Sequence, residues 1–272
     1  MKTPTFSTTT SILILIAFIG LLYFFGKPSN ETIEPPTDTI VDTISKEAEI
    51  VDLSLVENKT FNDPSSYIVF DISYPQFKNA PDSFNLKIEE LVLGEAGLQR
   101  GYAEENWKAR YDTSTDGSVT KLPKEDEKFS FTSSYKVVQA NNDFISVLVS
   151  ISGYSGGAHG YQNLHTFNYD VKAGKEITLQ QLFPNDSNYL KTISEFSRKD
   201  LQVQLKKKLE IKTKADEQNF KEVIIPMLID GTTAVLENFT IFTFTPDAVT
   251  IYFVEYQIGP YSVGESTVVI PR

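Results

Sequence analysis

The sequence predicts an α+β domain, antiparallel sheets packed with a few helices, preceded by a transmembrane helix and a disordered tether. Three observations predict it. An uncharged apolar run stands near the front of the chain. Beyond it, segments with strand alternation come in blocks at both ends. Segments with apolar stripes at helical spacing lie in blocks between them, and this blockwise order describes an α+β arrangement.

Residues 12–25 carry no charge and no strong polar group, and with uncharged neighbours the stretch runs from 8 to 26. A helix needs about 20 residues to cross the hydrocarbon layer. The alternative to a retained anchor is a cleaved signal peptide, which wants small residues one and three positions before the cut. A cut after Gly26 puts Phe24 at the third position, so a retained anchor is expected. Lys2 and the amino terminus precede the span, while Lys27 is soon followed by Glu31, Glu34, Asp38 and Asp42. Positive charge stays inside. Residues 1–7 are therefore expected in the cytoplasm, 8–26 in the membrane and the rest outside it. Residues 27–47 hold Pro28, Pro35 and Pro36 and no aromatic residue, which reads as a flexible tether.

Folding is expected to begin near residue 48. Ile68, Phe70, Ile72 and Tyr74 fall on one face of an alternating segment. Phe129, Phe131, Tyr135 and Val137 do the same, and then Ile145, Val147, Val149 and Ile151 with Ser146, Ser150 and Ser152 opposite. Asn141, Asn142 and Asp143 between these last two runs make a hairpin turn, since Asn and Asp tolerate positive φ. Near the end, Ile251, Tyr252, Phe253 and Val254 are apolar on both faces and suit a central strand, flanked by strands over 239–244 and 267–270. Three helices lie between. One is capped by Asp82 and Ser83 and runs to Trp107, loosened by Gly94, Gly97 and Gly101. The second starts after Asp186 and Ser187 and carries Leu190, Ile193, Leu201, Leu205 and Leu209. The third runs from Asp216 to Leu228, with Pro226 expected to kink or stop it.

The chain has 25 basic and 36 acidic residues, a net charge of −11. The first 26 residues contribute only Lys2, so residues 27–272 carry −12. That disfavours nucleic acid, which needs a basic footprint. Cys is absent, which removes disulfides, thiol nucleophiles, Cys-based zinc sites and a lipoprotein anchor together.

Residues 154–160 are the most unusual stretch, with Gly156, Gly157 and Gly160 close together. They read first as a tight connection between strands and second as an anion nest of exposed N–H groups. Tyr154, Ser155, Gly156, Gly157, His159 and Tyr161 are the candidate ligand-binding residues. His159 and His165 are the two histidines, whereas a catalytic zinc site takes about three protein ligands. No catalytic residue, metal site or cofactor is expected, and the chain reads as a non-enzyme. Eight basic residues between Lys191 and Lys214 face three acids. They read as the solvated side of a helix, or as a dock for anionic polymer or lipid. Tyr252, Phe253, Tyr256 and Tyr261 read as core at strand spacing, with stacking on sugar rings as the alternative.

The segments 154–160, 166–175 (with Thr166, Phe167, Asn168, Tyr169 and Asp170), 179–183 and 251–264 resemble an exported domain family that spans roughly residues 48–272. Its members include the outer domain of RsiV-type anti-sigma factors and the non-catalytic N-terminal region of PdaC-type peptidoglycan deacetylases. The resemblance implies an α+β fold on the outer face of a bacterial membrane, divided into a PdaC N-terminal-like part (48–170) and an RsiV C-terminal-like part (171–272). It departs from both. Only about ten residues precede the apolar run, too few for a sigma-factor surface, and a separate domain with metal-binding His and Asp residues is not expected. The resulting expectation is a membrane-anchored binding or sensor module of the cell envelope, with wall glycan or a lysozyme-like protein as partner. The alternative is a wall-polymer-modifying enzyme, or an accessory domain of one, using the His159 region.

Overall fold

The structure is a computed structural model that describes residues 50–111 and 121–272. The expected cytoplasmic tail, membrane span and tether lie outside the described residues. Among those described, no helix is long and apolar enough to cross a membrane.

The α+β expectation holds. Six strands form the first sheet in sequential order: β1 (Val56–Phe61), β2 (Ile68–Phe77), β3 (Phe129–Ala140), β4 (Phe144–Tyr154), β5 (Tyr161–Asp170) and β6 (Lys175–Glu176). All neighbours are antiparallel except β2 and β3, which pair parallel from Ile68 opposite Phe129. This one pair departs from the antiparallel expectation, and the helix between these strands is the reason. A crossover helix returns the chain to the same end of the sheet, where the next strand must start in the same direction.

That helix, α1 (Asp82–Tyr111), covers one face of the sheet. Phe84, Ile88, Val92, Ala96, Ala103 and Trp107 are its buried residues, at spacings of four or seven that return to one side of a helix. Asn85 fastens its start to the sheet: Nδ2 donates to the Phe77 carbonyl at 2.9 Å and Oδ1 accepts from the Phe77 N–H at 2.8 Å. A Cβ on Gly94, Gly97 or Gly101 would meet nothing within 4 Å. These glycines face open space, and the helix runs through them. On β4, Ile145, Val147, Val149 and Ile151 enter this first core, as expected. The turn from β3 to β4 also forms as expected, with Asn141 Oδ1 accepting from the N–H groups of Asp143 and Phe144 at 2.9 Å each.

The second core belongs to the C-terminal elements. Three antiparallel strands, β7 (Phe242–Phe244), β8 (Ala248–Phe253) and β9 (Ser266–Pro271), lie with β8 in the middle, where the two-faced apolar pattern placed it. α2 (Tyr189–Lys208) buries Ile193, Leu201 and Leu205 against them. α3 (Lys214–Asn219) continues through a π-helical turn, Phe220–Ile224, into α4 (Ile225–Gly231). Of the two outcomes expected at Pro226, a kink or a stop, the stop does not occur. The Ile225 N–H bonds back to the Phe220 carbonyl, and this widened turn stands just ahead of a residue that has no N–H to offer.

The back of the first sheet carries the second. Ser146, on the polar side of β4, is fully buried because β7 lies over it, and its hydroxyl accepts from the Phe244 N–H at 3.0 Å. Phe144 and Phe244 meet edge to face at 5.7 Å beside it.

The basic run on and after α2 is largely engaged within the fold. Lys206 pairs with Glu217 at 2.9 Å, Lys208 Nζ donates to Ser266 Oγ at 2.9 Å, and Arg198 Nε donates to Thr232 Oγ1 at 3.1 Å.

Candidate functional site

Two loops that are distant in sequence meet at one end of the molecule. The first is the glycine-rich tip between β4 and β5, and the second joins β8 to β9. Close approach shapes the first loop: a Cβ on Gly153 would stand 2.2 Å from the Ser130 carbonyl oxygen, so only hydrogen fits. Gly156 takes φ +80°, the left-handed region that suits glycine. Gly157 has no such requirement, and a Cβ there would meet its nearest atom at 3.8 Å. Tyr154 closes the tip, its hydroxyl donating to the Gly157 carbonyl at 2.9 Å.

The second loop leaves the sheet after Phe253. Gln257 organises it: Oε1 accepts from the Val254 N–H at 3.2 Å, while Nε2 donates to the carbonyls of Gly231 and Asn238 at 3.1 and 2.9 Å. Tyr256 is thereby held at φ +66°, an uncommon conformation for a bulky residue, with its side chain exposed. The four aromatics that read as one group divide here. Tyr252 and Phe253 are buried in the strand, whereas Tyr256 and Tyr261 stand outside it.

His159 reaches across from the first loop and stacks on Tyr261, ring centroids 3.9 Å apart at 24°. Tyr256 completes the group, its ring 5.7 Å from that of Tyr261 and its hydroxyl 3.5 Å from His159 Nε2. His159 Nδ1 lies 2.7 Å from the Gly160 carbonyl oxygen. A carbonyl accepts only, so Nδ1 carries the proton in this contact. In the neutral ring Nε2 then carries the lone pair and accepts from the Tyr256 hydroxyl at 3.5 Å, a long contact that an incoming donor can displace. The arrangement offers an exposed aromatic platform with one basic nitrogen at its edge.

The remaining candidates go elsewhere. Ser155, Gly156 and Gly157 border a cleft of about 200 Å³ on the α1 side, together with Tyr102, Trp107 and Arg110. Tyr161 turns inward against the first core, and its hydroxyl is buried without a hydrogen-bond partner. His165 sits along β5 opposite Val149. It lies within the strand beside Glu95, whereas His159 lies in the loop before β5 begins and stacks on Tyr261. Burial lowers the His165 pKa below its ordinary value, opposed by the nearby Glu95 carboxylate. The two histidines therefore do not share a site. Among the described residues, no group of three or more His, Cys, Asp or Glu is placed to hold a metal ion.

Glu265, in the same β8–β9 loop, is a carboxyl the sequence did not single out. Burial raises its pKa, the neighbouring Glu255 raises it further, and Lys208 opposes them. Its Oε1 is buried without a partner.

Residues 61–162 match the family model described as Deacetylase PdaC, and residues 180–272 match that of DUF3298, a protein family of unknown function. The chain is 24% identical over 265 residues to the peptidoglycan-N-acetylmuramic acid deacetylase PdaC of Bacillus subtilis, covering 96% of this chain and 48% of that protein. It therefore spans about half the length of the curated relative it matches. Among solved structures, a DUF3298 family member from Bacteroides fragilis superposes with a TM-score of 0.54 at 14% identity, over 79% of this chain and 89% of that one. A DUF3298 family protein from Pseudomonas aeruginosa gives 0.42 at 17% identity, over 80% and 88%. The Bacteroides likeness shows the fold alone. The expectation that the chain is not an enzyme is corrected by the two PdaC matches, which point to an enzyme. That expectation rested on the lack of a familiar residue spacing in the sequence. The resemblance read from the motifs is borne out: the chain is similar to PdaC over residues 61–162 and to the DUF3298 family over residues 180–272.

Proposed function

We propose that the chain acts in the enzymatic modification of a cell-wall glycan, as a PdaC-like enzyme or as the glycan-holding part of one. In this reading the platform of His159, Tyr256 and Tyr261 takes the sugar. The observation that carries it is the convergence of an exposed tyrosine, a half-buried one and an exposed histidine from loops about 100 residues apart. Amphipathic rings present an apolar face to the C–H side of a sugar and a hydroxyl to its edge. The left-handed backbone at Tyr256 supports the reading, since such strain gathers at ligand clamps. His159 Nε2 has the lone pair that an acceptor of a substrate proton needs. The name of the Bacillus relative supplies the substrate class, an N-acetylated wall sugar. In the same reading residues 8–26 anchor the chain and the described domain lies outside the membrane, within reach of the wall.

The test uses the full chain in detergent micelles with purified peptidoglycan, measuring both glycan binding and released acetate. Tyr256→Ala and Tyr261→Ala are expected to weaken binding about threefold to tenfold, the worth of one aromatic contact. His159→Ala is expected to lower acetate release while binding stays within about twofold. A chain that neither binds peptidoglycan nor releases acetate overturns the proposal.

A further inference from the structure

A second cavity lies on the other side of the junction between the sheets. It measures about 310 Å³ and is lined by Gln139, Phe144, Asp170, Lys175, Ile177, Leu182, Phe244 and Arg272 among others. The register of β3 explains how Gln139 comes to line it. Phe131, Ser133, Tyr135 and Val137 pair with odd-numbered residues of β4, on the face turned to α1. A β-bulge at Val138 then shifts the register, so that Gln139 pairs with Ser146. Without the bulge Gln139 would enter the first core. With it, the amide turns to the face that carries β7. Bulges that re-aim one side chain recur beside binding sites.

Gln139 is 1% exposed, and its Oε1 has no hydrogen-bond partner. An amide oxygen in that state requires a donor. Phe144, Ile177, Leu182 and Phe244 give the cavity an apolar wall, while Gln181, Lys175 and Arg272 bring N–H donors to its lining without bonding this oxygen. At the rim, Arg272 is held in place by two carbonyls, Nε donating to Leu182 at 3.2 Å and Nη1 to Thr245 at 3.3 Å. A guanidinium has five N–H donors, so three are left to face an anion. Lys175 adds a second cation. Its cross-strand neighbour Asp170 accepts from the Ala173 N–H at 2.7 Å.

The geometry points to a binding site for a small amphipathic carboxylate, of the N-acyl amino acid or short-peptide class. Its N–H donates to Gln139 Oε1, its apolar side chain lies against Phe144 and Phe244, and its carboxylate meets Arg272. The size agrees, because ligand cavities begin at about 300 Å³. This site is independent of the platform at His159, and either can stand without the other.

The test is calorimetric titration of the full chain with N-acetyl-leucine, with N-acetyl-leucinamide as the uncharged control. A dipeptide, alanyl-leucine, distinguishes the peptide source from the acyl amino acid. Binding of N-acetyl-leucine or alanyl-leucine is expected, with the amide at least about tenfold weaker because it lacks the charge-assisted bond. Arg272→Met removes the guanidinium at the rim and is expected to weaken binding by a similar factor, with its melting temperature measured alongside to separate any loss of folding. Gln139→Met keeps the volume and removes the unpartnered oxygen. It is expected to abolish binding without lowering the melting temperature. No heat with either carboxylate overturns the site. Equal affinity for acid and amide, or binding unchanged in both variants, overturns it too.

Discussion

The Ser146 hydroxyl donates to Asn168 Oδ1 at 2.7 Å, and both side chains also grip β7. Asn168 Nδ2 donates to the Phe242 carbonyl at 2.8 Å, and Ser146 Oγ accepts from the Phe244 N–H at 3.0 Å. Thr166 Oγ1 accepts from the Phe242 N–H at 3.2 Å. A short strand thus has its polar backbone satisfied by side chains of another sheet, in a buried place where an unpaired group is costly. Asn168 belongs to one of the segments that carry the family resemblance, and its role here is to hold the fold together.

Asn168→Ala is therefore expected to destabilise the domain by about 2–4 kcal/mol, because it leaves the Phe242 carbonyl unsatisfied and opens a cavity. Ser146→Ala leaves the Phe244 N–H unpaired and should cost about 1–3 kcal/mol. Since the two share one network, the double variant should lose clearly less than the sum of the singles. Urea unfolding of the three variants measures this. Additive losses would mean that the two residues act separately.

Much of the fold was legible in the sequence because the first core is built by simple alternation. Ile145, Val147, Val149 and Ile151 face it as period two requires, and Asn141 makes the turn its side chain favours. The seam between the sheets was not legible. Ser146 looks like any solvent-facing serine, and only β7, about 100 residues further on, makes it interior. The parallel pairing of β2 and β3 was implied by the intervening helix, a signal present but not used. Pro226 was read by its local rule, which a π-turn satisfies without ending the helix. At the site, His159 and the glycine-rich loop stood out by composition. Tyr256 and Tyr261 were grouped with Tyr252 and Phe253 because nothing local marks where the chain leaves β8. The bonds of Gln257 to Gly231 and Asn238 make that exit, and they are tertiary.

The glycines of the β4–β5 tip are expected to separate by mechanism. Gly153→Ala places a Cβ against the Ser130 carbonyl, with Tyr161 Oη only 2.8 Å away on another side. It should cost at least about 2 kcal/mol, since a backbone must move. Gly156→Ala meets unfavourable φ and should cost about 1–2 kcal/mol. Gly157→Ala should stay within about 0.5 kcal/mol of the parent. Thermal melts of the three variants check the order, and an equal cost at all three positions would contradict the loop geometry described.

His165 gives the domain an acid sensitivity of its own. Burial lowers its pKa in the folded state below the ordinary 6.5, so the unfolded chain takes up a proton first as pH falls. The stability linked to the neutral ring is present in full above 6.5 and is lost as pH drops through the folded value. His165→Gln has no proton to gain. Melting temperatures of the parent should therefore fall as pH drops below 6.5, and those of the variant should stay flatter over the same window. Parallel curves would assign the acid loss to other groups.

Glu265 has the opposite sign. Burial first, and Glu255 second, raise its folded-state pKa above the ordinary 4.5, so the folded protein holds this proton more tightly than the unfolded chain. Below 4.5 the carboxyl is neutral in both states and its burial costs little charge. As pH rises above 4.5 and through the folded value, the unfolded chain ionises more readily and stability falls. Lys208, whose Nζ already donates to the Val263 carbonyl at 3.3 Å and to Ser266 Oγ, offsets part of this loss. Glu265→Gln keeps the shape and removes the charge. It is expected to raise the melting temperature at pH 7 and leave it unchanged at pH 4, with the difference opening between them. A variant no more stable than the parent at pH 7 would contradict this assignment.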